Sequence, residues 1–93
     1  MDIKQEDTGS KGRFLYEVDG QELAQMTYRY DGADKMIIDH TEVDPSLKGQ
    51  GIGYKLVEAA VVFARENQIK ILPLCSYVAQ VFKKKSDYND VLF

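Results

Sequence analysis

Lys48-Gly49-Gln50-Gly51-Ile52-Gly53 is the stretch of sequence that most constrains the fold. Its three glycines alternate between an apolar run typical of a strand (36–43) and an amphipathic run typical of a helix (54–66). Glycine has no Cβ and so leaves room for a bulky anion. The first turn of a helix adds unpaired N–H donors and the positive end of the helix dipole. This order of elements therefore predicts a phosphate-binding loop.

The size and composition predict one ordinary globular domain. The chain has 93 residues, a net charge of −3, 44% apolar residues and 29% charged residues. The negative charge argues against nucleic acid as a partner. No apolar run approaches a membrane span, so no membrane partner is expected, and no secretory signal pattern is present. The single cysteine, Cys75, cannot form an internal disulfide, which favours a reducing, cytoplasmic setting. No metal site is predicted.

Hydrophobic periodicity predicts an α/β fold with a mixed sheet. Residues 1–12 are predicted to be a flexible arm and residues 13–93 a single domain. The predicted elements are strands at 13–18, 21–30 and 35–43, a helix at 54–66, a strand at 69–74 and a helix at 77–85 with Ser76 as its cap. Asp19-Gly20 and Asp31-Gly32 are turn signals, so the first three strands form an antiparallel meander. The later strand joins in parallel through a right-handed crossover.

Two familiar phosphate-binding motifs do not fit the glycine loop. A Walker loop continues with Lys and then Ser or Thr after its second glycine, whereas Gly53 is followed by Tyr54-Lys55. A dinucleotide fingerprint needs Gly-x-Gly-x-x-Gly, and Gly49, Gly51 and Gly53 lack that spacing. The structural alternative is a tight connection without a ligand, although each glycine costs about 0.5–1 kcal/mol relative to alanine.

The remaining pattern is a basic residue, two residues, Gly, one residue and Gly, at Lys48, Gly51 and Gly53. With the segment HTEVDPSLKGQGIGYKLVEAAVVFARE (40–66), it resembles the coenzyme A loop of the GNAT superfamily of N-acetyltransferases. The resemblance covers residues 13–88. A direct turn between the first two strands, without inserted helices, and the segment Pro73-Leu74-Cys75 resemble a very short subgroup of GNAT-like proteins. Lys48 replaces the usual arginine or glutamine, which keeps the charge and loses the planar fork.

The resemblance implies acetyl-CoA as co-substrate, with its diphosphate on main-chain N–H groups of the loop. Its pantetheine arm would lie along the third strand, in a gap between that strand and the fourth. The thioester would sit beside Glu42 and Val43, where the Val43 N–H polarises its carbonyl. The resemblance implies N–H donors to the diphosphate at Gln50, Gly51, Gly53 and Tyr54, and nearby cations at Lys48 and Lys55. The full set of implied coenzyme A contacts is Thr41, Glu42, Val43, Lys48, Gly49, Gln50, Gly51, Ile52, Gly53, Tyr54 and Lys55.

The candidate catalytic residues are His40, Glu42, Cys75 and Tyr77. Histidine is the side chain type best suited to a general base near neutral pH, which makes His40 a candidate; by period two it shares a face with Ile38 and Glu42. Cys75 ends the fourth strand and is either a nucleophile that accepts the acetyl group or a small core residue. The tyrosine that many GNAT enzymes use as general acid aligns with Phe82, which has no proton to donate. Tyr77, one turn earlier, is the substitute or simply a packing aromatic.

Three functions follow from this sequence. The first is an acyl-CoA-dependent N-acyltransferase that acetylates a primary amine directly or through an acetyl-cysteine at Cys75. The second is a non-catalytic module with the same fold that binds coenzyme A or contacts a protein partner. The third is a plain anion-binding domain. The acceptor could be a small-molecule or peptide amine or a polyamine, and neither its identity nor the oligomeric state is set by the sequence.

Overall fold

A five-stranded mixed sheet in the order β1-β2-β3-β4-β5 forms the centre of the molecule. The computed structural model describes residues 3–93. The strands are β1 (Ile3–Asp7), β2 (Lys11–Val18), β3 (Gln21–Tyr30), β4 (Lys35–Val43) and β5 (Lys70–Pro73). The helices are α1 (Ile52–Asn67), α2 (Ser76–Lys84) and two short 3-10 helices at Pro45–Leu47 and Ser86–Val91. The predicted α/β fold, with an antiparallel meander and a parallel last strand, is confirmed.

The meander has one strand more than predicted. The expected flexible arm is wrong for residues 3–12, because β1 pairs antiparallel with β2 from Ile3 opposite Tyr16 to Asp7 opposite Gly12. Residues 1 and 2 of that arm lie outside the described residues. Periodicity missed β1 because its side chains are mostly polar and exposed. β1 is held by its backbone hydrogen bonds with β2 and by side-chain hydrogen bonds to Asp7, its last residue.

Asp7 anchors β1 to the sheet. Its carboxylate accepts hydrogen bonds from the hydroxyl groups of Tyr28 (2.6 Å) and Tyr30 (2.5 Å). These bonds, Tyr28 first, lower the pKa of the Asp7 carboxyl. Because the folded-state pKa lies below the unfolded value of 3.8, the stabilisation is present above about pH 3.8 and is lost as pH falls through the folded-state pKa.

We expect Asp7→Ala to lower the free energy of unfolding by about 1–2 kcal/mol at neutral pH, because two tyrosine hydroxyls lose their acceptor. Urea unfolding at pH 7 and at pH 3 measures this effect, which shrinks at the lower pH. Asp34→Ala, at an exposed position in the β3–β4 turn, is the control. If Asp7→Ala and Asp34→Ala lowered the free energy of unfolding equally, Asp7 would not be the anchor of β1.

Both helices pack on one face of the sheet and share one hydrophobic core. The i, i+4 pattern of α1 supplies the fully buried residues Leu56, Val57, Ala60, Val61 and Ala64. α2 adds Val78 and Val81, which are also fully buried. Among residues 3–93, neither helix has the length and apolar character needed to cross a membrane. The helices thus meet at the end of the sheet where β4 leads into the glycine loop.

Candidate active site

The glycine loop turns the chain sharply from β4 into α1. Asp44 caps the 3-10 helix at Pro45–Leu47, where its carboxylate accepts a hydrogen bond from the Ser46 N–H (2.9 Å). Gly49 and Gly51 then adopt left-handed backbone angles, with φ of 82° and 71°. Only glycine adopts these angles at little cost. Gly51 is the N-cap of α1, which begins at Ile52 and therefore includes Gly53 in its first turn.

Main-chain N–H groups at the start of α1 are available to an anion. The Lys55 N–H makes the first helical hydrogen bond, to the Gly51 carbonyl (3.1 Å). The N–H groups of the three preceding helical residues, 52–54, therefore lack helical acceptors. Within residues 3–93, Gly49 and Gly51 likewise donate to no backbone carbonyl. A Cβ built on Gly51 would meet no atom within 4 Å, so the space beside it is open.

Gln50 is a correction to the predicted set of donors. Its N–H donates to the Leu47 carbonyl (3.1 Å) and closes the turn that ends the 3-10 helix. The Ile52 side chain is buried, so only its main chain can face a ligand. The side chains of Lys48 and Lys55 are exposed, one on each side of the glycines. The loop therefore combines free N–H donors, the positive end of the α1 dipole and two flexible cations.

Gly53 allows α2 to approach α1 closely. A Cβ on Gly53 would lie 2.6 Å from Tyr77 Cζ, well inside van der Waals contact. The Tyr77 ring also meets the Tyr54 ring edge to face, with centroids 6.3 Å apart. Tyr77 is thus held beside the first turn of α1, and burial raises the pKa of its hydroxyl. The third glycine of the motif therefore serves helix packing.

β4 and β5 diverge at the end of the sheet nearest the loop. Their parallel pairing runs from Lys35 opposite Lys70 to Ile38 opposite Pro73. The N–H groups of Leu74 and Cys75 then both donate to the Ile38 carbonyl, at 2.9 and 3.1 Å. Beyond this point β4 continues to Val43 with no parallel partner in the described part of the chain. One edge of β4 is therefore open to an extended ligand.

The N–H groups of Thr41 and Val43 point toward that open edge. The Asp44 N–H donates to the Leu23 carbonyl on β3 (2.7 Å). Because hydrogen-bonding direction alternates along an antiparallel strand, the N–H groups at 41 and 43 point the other way. The Thr41 N–H indeed reaches the Cys75 thiol. Val43 therefore offers a free donor on the side where a ligand strand could pair.

A β-bulge changes the faces predicted for β4. Thr27 lies opposite His40 but Tyr28 lies opposite Ile38, so Asp39 is the extra residue. The prediction that His40 shares a face with buried Ile38 is therefore wrong. His40 and Glu42 do share a face, and His40 Nε2 lies 2.7 Å from Glu42 Oε1. The contact with His40 lowers the pKa of the Glu42 carboxyl.

Cys75 lies on the opposite face from His40, beside Thr41. Its Sγ is 3.5 Å from Thr41 Oγ1, and Thr41 shares its face with the buried Met26 of β3. Cys75 is itself the N-cap of α2, so the predicted cap at Ser76 is wrong. Burial raises the pKa of the Cys75 thiol, but hydrogen bonds with Thr41 and with the first N–H groups of α2 outweigh burial and lower the pKa below its usual value.

We expect Thr41→Val to raise the pKa of the Cys75 thiol, because the thiolate loses the Thr41 hydroxyl as a donor. Alkylation by iodoacetamide needs the thiolate, so its rate at neutral pH should fall roughly threefold, with the pH profile displaced upward. Thr27→Val removes a hydroxyl from the other face of the sheet and is the control. Identical pH profiles for all three proteins would exclude this role for Thr41.

Phe82 cannot replace the missing proton donor. Its ring is 4% exposed and packs edge to face on Tyr88, with centroids 6.1 Å apart. The Tyr77 ring lies against Gly53, and Tyr77 is 38% exposed. A groove of about 370 Å³ lies at the start of β3 and the end of β4 and is lined by Glu22, Leu23, Ala24, Gln25, Glu42, Val43, Asp44 and Pro45. Glu42 and Val43 thus border both the open edge of β4 and this groove.

The sequence indicated neither the contact of the Thr41 hydroxyl with Cys75 nor the β3 residues that line this groove. Thr41 was expected to act only through its main chain. No local pattern could indicate its contact with Cys75, because the two residues meet only through the parallel pairing of β4 and β5. The residues of β3 enter the groove through the antiparallel register, in which Ala24 lies opposite Val43.

Comparisons with known proteins identify the family. The model of the family described as GCN5-related N-acetyl-transferase matches residues 13–91. The chain is 29% identical over 83 residues to Protein NATD1 of Xenopus tropicalis, covering 88% of this chain and 76% of that protein. The solution structure of a GCN5-like protein from Staphylococcus aureus is 38% identical, with a TM-score of 0.78, and the match covers 99% of this chain and 87% of that one.

The fold is also that of larger relatives. A GNAT family acetyltransferase from Elizabethkingia anophelis, solved with acetyl-CoA bound, has a TM-score of 0.69 at 13% identity; the match covers 91% of this chain and 73% of that one. At this identity the likeness concerns the fold alone. The family match begins within β2 and spans β3, β4, the glycine loop, β5 and both helices. The chain therefore belongs to the family of GCN5-related N-acetyltransferases.

Proposed function

We propose that this protein is an acyl-CoA-dependent N-acyltransferase that moves an acetyl group from acetyl-CoA to a primary amine. The observation that carries the proposal is that three features follow one another along the site. They are the free N–H donors at the start of α1, the open edge of β4, and the Cys75 thiol where β4 and β5 diverge. A diphosphate, an amide-rich arm and a thioester could occupy them in that order.

The residues present fit coenzyme A at the diphosphate end. The space beside Gly51 would be filled by any Cβ, and the unpaired N–H groups of 49 and 51–54 suit phosphate oxygens. Lys48 and Lys55 add positive charge. Coenzyme A supplies an activated acetyl group as a thioester. The main chain of Thr41 to Val43 would orient the arm, and the free N–H of Val43 would stabilise negative charge on the carbonyl oxygen.

Two routes for the transfer remain within this proposal. In the direct route the amine nitrogen attacks the carbonyl carbon, the C–S bond breaks and the coenzyme leaves as a thiolate. In the covalent route the Cys75 thiolate would attack the carbonyl carbon first, so that the C–S bond of acetyl-CoA breaks, the coenzyme leaves as a thiolate and acetyl-cysteine forms; the amine would then attack that thioester and restore the Cys75 thiolate. In both routes the amine loses a proton, and Tyr77 could return one to the leaving thiolate.

Because the bulge separates them from Cys75, we infer that His40 and Glu42 serve the acceptor rather than the Cys75 thiol. They lie on the other face of β4, and Glu42 borders the groove at the start of β3 and the end of β4. A base there could take the proton from an incoming amine. The acidic lining of the groove favours a cationic acceptor such as a peptide amine or a polyamine. A cytoplasmic location stays a prediction from the single cysteine.

One observation favours a non-catalytic coenzyme A-binding module. The position of the usual proton donor is filled by Phe82, which is buried in the core. Without an acid the leaving thiolate is less stable, and turnover would be slow. A binding module would still use the glycine loop and the open edge of β4, with a protein partner in place of an amine acceptor.

Incubation with acetyl-CoA and a panel of amines tests the proposal. Release of free thiol, together with an acetylated amine in the mass spectrum, is expected of an enzyme. Acetyl-CoA that binds and stays intact with every amine would favour the binding module. If calorimetry detected no binding of acetyl-CoA, both the N-acyltransferase and the coenzyme A-binding module would be refuted.

A further inference from the structure

β1 is the outermost strand of the sheet, and one of its edges has no partner. The pairing of β1 with β2 runs without a register shift from Ile3 to Asp7, and in the described part of the chain β1 pairs with no other strand. A straight, unpaired edge of this kind can accept a further strand. We propose that two copies of this protein pair through their β1 strands and so form one continuous sheet.

The main-chain groups of alternate β1 residues point outward from the sheet. The N–H of Thr8, just after β1, donates to the Lys11 carbonyl on β2 (2.9 Å). Because hydrogen-bonding direction alternates along an antiparallel strand, the groups of residues 4, 6 and 8 bond to β2, and those of Ile3, Gln5 and Asp7 point away from it. The edge thus presents three residues whose N–H and C=O groups can pair with another strand.

Antiparallel pairing of two β1 strands about Gln5 makes their charges complementary. In this register Gln5 lies opposite its counterpart, and the outward groups of residues 3, 5 and 7 all find partners. Lys4 of each copy then lies opposite Glu6 of the other, which gives two pairs of opposite charge. A shift of two residues in either direction places lysine opposite lysine or glutamate opposite glutamate. The charge pattern therefore selects one register.

The side chains of Lys4 and Glu6 can each take a second partner. Lys4 Nζ already lies 2.8 Å from Glu17 Oε1, and Glu6 Oε1 lies 2.8 Å from Arg13 Nε. Both side chains nevertheless stay largely exposed, at 59% for Lys4 and 62% for Glu6. An ammonium group has three N–H donors and a carboxylate has two acceptor oxygens. Pairing of two copies would extend these ion pairs into a network, which stabilises more than isolated surface pairs do.

A groove beside β1 adds apolar surface to this edge. It has a volume of about 670 Å³, and Ile3, Val62 and Phe63 are among its lining residues. Val62 is 47% exposed. A two-fold axis between identical antiparallel strands is perpendicular to the sheet, so both copies would carry this groove on the same side, next to the axis. A second copy of the chain supplies the strand, the opposite charges and the apolar surface together.

This interface would leave the candidate active site accessible. In the order of the sheet, β2 and β3 separate β1 from β4. Neither the glycine loop nor the open edge of β4 would therefore be covered by the second copy. The inference does not depend on the proposed function, and each of the two can fail without the other.

Charge reversal in two separate variants tests the pairing by sedimentation velocity. The unchanged protein should dimerise with a dissociation constant of about 10–100 μM, because a strand edge of five residues is a small interface. Lys4→Glu places glutamate opposite glutamate, and Glu6→Lys places lysine opposite lysine. Each variant alone should dimerise at least about tenfold more weakly. An equimolar mixture of the two should dimerise again, since both charged pairs across the interface then have opposite signs.

Lys83→Glu is the control for net charge. It changes the charge of the chain as much as Lys4→Glu does, at an exposed position on α2 that lines a groove with Pro73 of β5. β5 is at the opposite end of the sheet from β1. This variant should therefore dimerise like the unchanged protein, and thermal unfolding of each variant checks that it is folded.

Hydrogen exchange of the unchanged protein tests the same edge without any substitution. The N–H groups of Gln5 and Asp7 should exchange more slowly as the protein concentration rises, because they gain acceptors in the dimer. The N–H of Glu6, which already bonds to β2, should not respond to concentration. Concentration-independent exchange at Gln5 and Asp7 would contradict the pairing even if a variant failed to fold.

The contrary results of the sedimentation experiment each overturn the proposal. A protein that stays monomeric up to about 1 mM would mean that Lys4 and Glu6 protect the edge from pairing. Dimers that survive both charge reversals would use another surface. A mixture that stays monomeric would show that Lys4 and Glu6 do not meet across a two-fold axis.

Discussion

Replacing Gly51 with glutamate is expected to weaken coenzyme A binding by at least about 100-fold, or more than about 2.7 kcal/mol. The new carboxylate would occupy the open space beside the free N–H groups of α1 and would compete with the diphosphate for them. It would also repel the phosphates in place of the attraction that the helix dipole provides. The left-handed backbone at Gly51 adds a cost of about 1–2 kcal/mol to the free energy of folding.

Gly20→Glu is the matched control for this substitution. Gly20 lies in the β2–β3 turn, has a φ of 79° and has no atom within 4 Å of a built Cβ. The two variants should therefore lose similar stability, measured by urea unfolding, while only the change at Gly51 abolishes binding in calorimetry. Unchanged affinity in Gly51→Glu would mean that the start of α1 does not hold the diphosphate, and the proposed site would have to be abandoned.

Replacing Cys75 with alanine is expected to remove any covalent acetyl adduct from the protein. Cys75 is the only cysteine of the chain, and its thiol has a lowered pKa at the point where the open edge of β4 ends. Mass spectrometry after mixing with acetyl-CoA, without an amine, should show an acetylated protein for the unchanged chain and no adduct for Cys75→Ala. Hydroxylamine, which cleaves thioesters but not amides, should remove the adduct.

Turnover separates the two routes once the adduct has been measured. If the covalent route operates, Cys75→Ala should lose acetyl transfer to amines together with the adduct. If transfer is direct, the variant should retain it, because alanine fills much of the same space and the N–H groups of β4 are unchanged. An adduct that persists in Cys75→Ala would sit on an amine and would eliminate the cysteine route. Thr41→Val is a useful comparison, because it keeps the Cys75 thiol and is expected only to raise the pKa of that thiol.

Features of the fold that depend only on residues close together in the sequence were predictable from the sequence. The Asp-Gly dipeptides between strands, the i, i+4 pattern of α1 and the glycines at 49 and 51 act through local backbone geometry and local burial. The structure accordingly has the predicted meander, the helix after the loop and the parallel last strand. The free N–H groups at the start of α1 follow from helix geometry alone, because the first turn of a helix has no preceding carbonyls.

Other features of the site depend on register, which no local pattern encodes. The bulge at Asp39 moved His40 away from the face of Ile38, and the internal hydrogen bond of Gln50 removed one predicted donor. Register errors of one residue exchange the two faces of a strand, so a prediction by period two fails downstream of any bulge. The pairing of His40 with Glu42 survived because both residues lie on the same side of the bulge.

The sequence by itself determined an α/β domain with an anion-binding loop between a strand and a helix, since turn chemistry, helix periodicity and unpaired N–H groups are properties of short segments. Only the tertiary structure decided the rest: that residues 3–7 form an edge strand, that Thr41 meets Cys75, and that residues of β3 and β4 line one groove. These contacts join residues far apart in the chain, and they exist only once the sheet register and the packing of α2 on α1 are set.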